Sequence, residues 1–168
     1  MEHWYAIQTK PRQEVLAEEN LRRQRFEAYL PRISLSRRRR GKWVKVIEPL
    51  FPRYLFIRFD PAQLSIGPIR STRGVVSIVR FGNEICSMPD DAIEFLKQHE
   101  DSDTGLYNQA DDQFQQGDSV TVISGAFAGL EGVFQAQTSN ERVVLLIECL
   151  GRASRVTLGF DDVGKAPI

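Results

Sequence analysis

Glu48-Pro49-Leu50-Phe51-Pro52-Arg53-Tyr54-Leu55-Phe56-Ile57-Arg58-Phe59 decides the fold. The stretch is too apolar for a surface strand. Once extended, its alternate side chains point to opposite faces. Tyr54 and Phe56 share one face, and Leu55, Ile57 and Phe59 share the other. Both faces ask for cover. One suits the core of the strand's own domain. The other needs helices, a second domain or a partner protein.

Toward the N-terminus, Trp4-Tyr5-Ala6-Ile7-Gln8-Thr9 reads as a first strand, broken by Lys10-Pro11-Arg12. Gln13 to Arg25 is rich in helix formers, with Ala17 and Leu21 four apart on a narrow apolar stripe and Arg22, Arg23 and Arg25 on its other faces. Residues 27–33 read as a second strand, in which Pro31 favours an edge or a bulge. Ser36-Arg37-Arg38-Arg39-Arg40-Gly41-Lys42 is a basic hairpin tip with glycine for the turn, and residues 43–47 return as a strand.

Toward the C-terminus, Asp60-Pro61 closes the opening segment, and residues 61–68 form a loop or short helix. Gly74 to Phe81 is another strand. Ser87-Met88-Pro89-Asp90-Asp91 starts a helix that runs to about Glu100 with Ile93 and Leu96 on its apolar face. Residues 101–116 are acidic, amide-rich and nearly free of β-branched residues, and read as a linker. Beyond it, residues 119–123, 130–134, 142–148 and 155–158 read as short strands punctuated by glycines, a pattern that suits a small β-barrel. The domain expectation is therefore 1–100, a linker 101–116, and 117–168.

The 168 residues have zero formal net charge, but unevenly placed. Residues 1–100 hold 18 Lys+Arg against 12 Asp+Glu, and residues 101–168 hold 4 against 10. A basic front and an acidic rear suggest two units with different partners, or units that attract each other. No secretory leader is expected from Met1-Glu2-His3-Trp4-Tyr5, and no window approaches the roughly 18 apolar residues of a membrane span. Cys86 and Cys149 are far apart and form no metal spacing with His3 or His99. A reduced, cytoplasmic, monomeric protein without metal or cofactor is the economical reading. An enzyme is not expected, because no nucleophile–base set and no phosphate-binding glycine loop is present.

Two motifs carry more. Residues 117–133 run as a turn, an alternating strand, a loop with Gly125 and Gly129 at its ends presenting Phe127, and a second strand. This spacing resembles the KOW motif of NusG-type transcription factors and some ribosomal proteins. The proline-bracketed aromatics of residues 48–59, Thr72-Arg73-Gly74-Val75, Phe81-Gly82 and the start Trp4-Tyr5 with Lys10 resemble the N-terminal domain of the NusG/RfaH family, closest to its RfaH-type antiterminators. The implied fold class is α+β: an NGN-like antiparallel sheet with flanking helices, plus a small SH3-like KOW barrel. The alternative for the second domain is an autoinhibitory helical hairpin packed on the first. Gly132, Val143-Val144 and Gly151 favour the barrel.

The resemblance implies an elongation and antitermination factor that binds the RNA polymerase clamp helices through Phe51, Pro52, Tyr54, Phe56, Phe81, Ile93 and Leu96. It implies contact with non-template single-stranded DNA through Lys10, Gln13, Asn20, Arg22, Arg23, Gln24, Thr72 and Arg73, suppression of pausing, and a C-terminal contact from the Phe127 loop to ribosomal protein S10 or Rho. Glu48 and Arg142 match positions that pair across the domains in RfaH-type proteins. Two departures stand out. Asn20 occupies a position where those proteins commonly have His, and Ser65-Ile66-Gly67-Pro68 replaces a His/Thr-rich run. A ribosome-associated RNA-binding module is the competing reading. The acidic second domain argues against it, because rRNA binding favours basic charge.

Overall fold

The computed structural model describes residues 1–108, 127 and 129–158, with side chains at all of these except Asn108 and residues 154–158. Its centre is an antiparallel sheet in the order β2-β5-β1-β6, built from β1 (His3–Thr9), β2 (Glu27–Tyr29), β5 (Tyr54–Phe59) and β6 (Val75–Ile78). β1 pairs with β5 from His3↔Phe59 to Gln8↔Tyr54, so the two most apolar strands lie side by side. A long ribbon, β3 (Arg32–Arg39) and β4 (Lys42–Pro49), stands beside it. Arg40 and Gly41 turn this ribbon with φ of 52° and 78°. Positive φ at both central residues is the turn whose twist matches an antiparallel pair.

The alternation of residues 54–59 places the core as the sequence predicts. Leu55, Ile57 and Phe59 join Tyr5 and Ile7 under α1 (Glu14–Arg23), which contributes Ala17 and Leu21. Phe56 joins Trp4, Ala6, Leu50 and Phe51 on the opposite face. α3 (Asp90–Gln98) lays Ile93 and Leu96 on that second face. Short pieces complete the unit: α2 (Gly67–Arg70), the β7–β8 hairpin (Arg80–Phe81, Glu84–Ile85) and β9 (Ser87–Met88), which pairs with the start of β1.

Several boundaries differ from expectation. Residues 27–33 are two strands in different sheets, because Pro31 cannot donate to a ladder and the chain turns there. Ser87-Met88 is a strand, and the helix begins at Asp90 after an extended Pro89. The opening of the expected linker packs on the N-terminal unit. β10 (Tyr107–Asn108) runs parallel to β3, and the buried Tyr107 hydroxyl donates to the Leu96 carbonyl. Tyr29 and Tyr107 hydroxyls lie 2.6 Å apart, and Tyr29 also donates to Glu100 at 2.6 Å.

The largest difference is C-terminal. Residues 130–134, 142–148 and 155–158, expected as strands, are helical: a 3-10 helix (Leu130–Phe134) and α4 (Ser139–Leu158). An apolar run such as Val143 to Ile147 satisfies either period. Burial decides between them. In the helix, Arg142, Leu146, Cys149, Leu150 and Ala153 fall on one stripe and are buried. That stripe meets the second face of the N-terminal sheet in one continuous core. Tertiary burial here overrides the strand preference of Val143-Val144 and the helix penalty of Gly151. The expected strand at 119–123 lies outside the described residues. Among the described residues, no helix is long and apolar enough to cross a membrane and no side-chain group could hold a metal ion.

Candidate functional site

Two surfaces collect the residues singled out by sequence. The first is the apolar face. Phe51, Phe56, Ile93 and Leu96 are fully or almost fully buried, while Pro52, Tyr54 and Phe81 are half-buried at its margin. Phe51 and Phe56 meet edge to face at 6.0 Å. What covers them is the C-terminal segment: Leu130, Val133, Leu146, Cys149 and Leu150 share their cluster. Phe127 is also buried in that cluster and does not stand out on a loop. Gly151 lies against the Phe81 ring, where an added Cβ would sit 3.7 Å from it, an ordinary contact.

The described polar contacts across this seam are specific. Arg142 Nε donates to the Leu50 carbonyl at 2.8 Å, with the Arg142 side chain 1% exposed. Burial pushes the Arg142 guanidinium pKa down, and the nearby Glu48 carboxylate opposes this. Glu48 makes its hydrogen bonds elsewhere, accepting from Arg37 Nε at 2.8 Å and Arg37 Nη2 at 2.9 Å. The Arg37 hydrogen bond holds the Glu48 carboxyl below its ordinary range, aided by the charges of Arg37, Arg142 and Arg39. The Cys86 thiol donates to the Leu150 carbonyl at 3.1 Å. The His99 ring stacks on Phe134 at 3.8 Å with the planes 3° apart. Neither the Cys86 contact nor the His99 stack is legible in the sequence, because both join segments distant in the chain.

The second surface is a polar groove between α1 and the turn before β6, lined by Asn20, Arg23, Gln24, Pro68, Ser71, Thr72 and Arg73. Gly74 makes it possible. Its φ is +95°, and an added Cβ would lie 3.1 Å from the Ala17 nitrogen and 3.1 Å from the Gln13 carbonyl. The turn can therefore rest directly on α1. Gln24 Nε2 donates to Thr72 Oγ1 at 2.7 Å, and Asn20 Nδ2 lies 3.4 Å from the Arg73 carbonyl. Thr72 in turn donates to the Pro68 carbonyl at 2.7 Å.

Arg23 and Arg73 are exposed and make no ion pair among the described residues. Lys10 and Gln13 lie at the end of the groove, tied to it by the Lys10 N–H donating to the Gly74 carbonyl at 2.9 Å. Arg22 points away from the groove, donating to the Ala28 carbonyl at 2.9 Å and approaching Glu18 at 3.4 Å. The sequence reading did not place Pro68 or Ser71 in this groove. Fixed amide and hydroxyl groups flanked by two unpaired guanidinium groups suit a single nucleic-acid strand: cations for phosphate and polar edges for a base.

Residues 2–97 match the family model described as "Transcription termination factor nusG". The chain is 28% identical to the transcription termination/antitermination protein NusG of Thermus thermophilus, over 97% of this chain and 98% of that one. It is 25% identical to the same-named protein of Staphylococcus aureus (strain Mu50), over 96% and 94% of the two chains. The Streptomyces griseus protein matches at 26% identity over 96% of this chain, which spans 64% of that longer relative. A solved structure described as "Domain interaction in Thermotoga maritima NusG" superposes with a TM-score of 0.40 at 19% identity, covering 58% of this chain and 55% of that one. The chain belongs to the NusG family of transcription termination/antitermination factors.

Proposed function

We propose that this NusG-family protein is an RfaH-type elongation and antitermination factor whose polymerase-binding face is closed by its own C-terminal helix. One observation carries the reading. Phe51, Phe56, Ile93 and Leu96, an aromatic-rich set suited to a protein partner, are buried under α4 of the same chain. A surface that must bind the clamp helices of RNA polymerase cannot do so while α4 occupies it. Release of α4 frees the face, and the polar groove around Asn20, Gln24, Thr72 and Arg73 takes the non-template strand. The factor then suppresses pausing and termination.

The released C-terminal segment becomes a KOW barrel that presents Phe127 to ribosomal protein S10 or Rho. Gly132, Val143-Val144 and Gly151 support that second state, since they suit strands and turns better than helix. Asn20 in the groove supports a base preference different from that of a His at the same place.

Single-round transcription with the cognate RNA polymerase tests this, on templates with pause sites and with or without a recruitment element. Shortened pauses only downstream of the element are the expected result for the full chain. The variant Leu146→Asp, which places a charge in the seam, should act on both templates. Equal activity of the wild-type chain on every template would remove the closed, recruited mode and leave a general NusG.

A further inference from the structure

The β3–β4 ribbon carries a surface that neither the apolar face nor the groove explains. In its register, Arg38 pairs with Trp43, Ser36 with Lys45 and Ser34 with Ile47, so these side chains share one face. The opposite face holds Ile33 and Leu35 in the core. The outer face is open to solvent, with Trp43 69% and Ile47 60% exposed. Beside them on this face stand Arg38 and Lys45, with Arg40 in the turn, and none of the three makes an ion pair among the described residues; Arg37, Arg39 and Lys42 fall on the other face, where Arg37 pairs with Glu48. β4 is also the open edge of its sheet. Charges that guard an edge strand against pairing would account for the cations. They leave an exposed tryptophan and isoleucine, four residues apart on one face, without a reason.

We infer that the outer face of this ribbon binds an unpaired nucleic-acid strand, with a base stacked on Trp43 and phosphates held by Arg38, Lys45 and Arg40. Three cations without ion-pair partners among the described residues, Arg38, Lys45 and Arg40 of the turn, stand by a flat, exposed aromatic ring and supply the two components of single-strand binding: backbone neutralisation and a stacking platform. A duplex would use the cations alone, since its bases are already stacked on one another. The site is separate from the groove of Asn20 and Arg73 and does not depend on the polymerase-binding reading.

The test uses the full chain and labelled oligomers of about 15 nucleotides, dT, rU and a duplex, at about 50 and 200 mM salt. Trp4 is buried and Trp43 exposed, so a change in accessible tryptophan emission reports on the ribbon. Strand binding should quench that emission, in the wild type and equally in Arg23→Ala/Arg73→Ala, which disables the groove. Trp43→Ala should lose about ten-fold in single-strand affinity, equivalent to about 1.4 kcal/mol. The same change should leave duplex affinity unaltered, and Trp43→Phe should restore most of the loss. A preference for dT or rU then identifies the strand as DNA or RNA. Unchanged single-strand affinity in Trp43→Ala would overturn the inference. So would equal dependence of duplex binding on Trp43, or self-association abolished by Trp43→Ala without any strand binding.

Discussion

Arg142 reaches from α4 to the carbonyl of Leu50, Nε to oxygen 2.8 Å, inside the seam between the C-terminal helix and the N-terminal sheet. Leu50 belongs to the stretch that decides the fold, and Arg142 to a segment that reads locally as strand. Their contact makes closure specific, because only a helix in this register brings the guanidinium to that carbonyl. The contact is also incomplete. Arg142 Nη2 is buried without a hydrogen-bond partner among the described residues, and a buried charge that is only partly satisfied costs free energy.

Arg142→Ala is expected to open the seam. The variant loses a hydrogen bond from a charged donor, about 1.5–3 kcal/mol, and leaves the Leu50 carbonyl unsatisfied. The core under α1 lies wholly within the N-terminal unit and is untouched. The expected outcome is about a ten-fold gain in affinity for RNA polymerase, equivalent to about 1.4 kcal/mol, measured by titration of labelled full-length protein. Unchanged affinity would mean that α4 does not compete with the polymerase.

Glu48 supports the seam through charge while hydrogen-bonded to Arg37. Its carboxyl is held below the ordinary value of 4.5, so its contribution is present above that pH and is lost as pH falls through the lowered value. Glu48→Gln should flatten the acid limb of a stability–pH curve below about pH 4.5. Arg37→Ala frees Glu48 to turn toward Arg142, and is expected to lower polymerase affinity relative to wild type. A higher affinity in Arg37→Ala would mean that Arg37 itself holds the closed form.

His99 gives closure a second pH dependence. Burial lowers its pKa below 6.5, opposed by the contact of Nδ1 with the Phe95 carbonyl at 2.8 Å. With a lowered folded-state pKa, stability is full above 6.5 and declines as pH falls from there toward the folded value. The stack on Phe134 places this cost at the seam. His99→Phe keeps an aromatic ring and removes the proton. Its melting temperature should therefore fall less than that of the wild type between about pH 6.5 and 5.

The sequence and the structure agree where local pattern and burial point the same way. The period-2 alternation of Tyr54 to Phe59 gave both faces of β5, and the Thr72-Arg73-Gly74-Val75 turn gave one wall of the groove. They part at α4. Val143-Val144, Gly132 and Gly151 argue locally for strands, and what outweighs them is a buried stripe facing Leu50, Phe51 and Phe56, about a hundred residues earlier. No window of sequence contains both partners. The Arg37–Glu48 pair was hidden for a related reason: it depends on the hairpin register, which brings the basic tip back over the ribbon's inner face.

Gly74→Ala should separate groove from fold. The new Cβ would meet the Ala17 backbone at 3.1 Å, at a φ of +95° that an L-residue rarely adopts. The turn must move off α1, at a stability cost above about 1 kcal/mol. Thr72 and Arg73 move with it, so single-strand affinity measured in the Trp43→Ala background should drop while the α-helical signal in circular dichroism persists. Retained affinity would place strand binding elsewhere.

Cys86 offers a direct readout of opening. Its thiol is buried, donates to the Leu150 carbonyl at 3.1 Å, and is pushed up to about 11 by burial. Near neutral pH almost no thiolate is present, and a reagent cannot reach the sulfur while α4 is seated. Labelling by iodoacetamide, followed peptide by peptide in a mass spectrometer, therefore requires the seam to part. Leu146→Ala removes a fully buried side chain from α4, a change that typically costs about 2–5 kcal/mol, and here the loss falls on closure. Cys86 labelling is expected to accelerate more than ten-fold in Leu146→Ala and less in Glu48→Gln, with Trp43→Ala unchanged because that side chain lies outside the seam. If Leu146→Ala labels Cys86 no faster than wild type, α4 does not gate that face of the sheet.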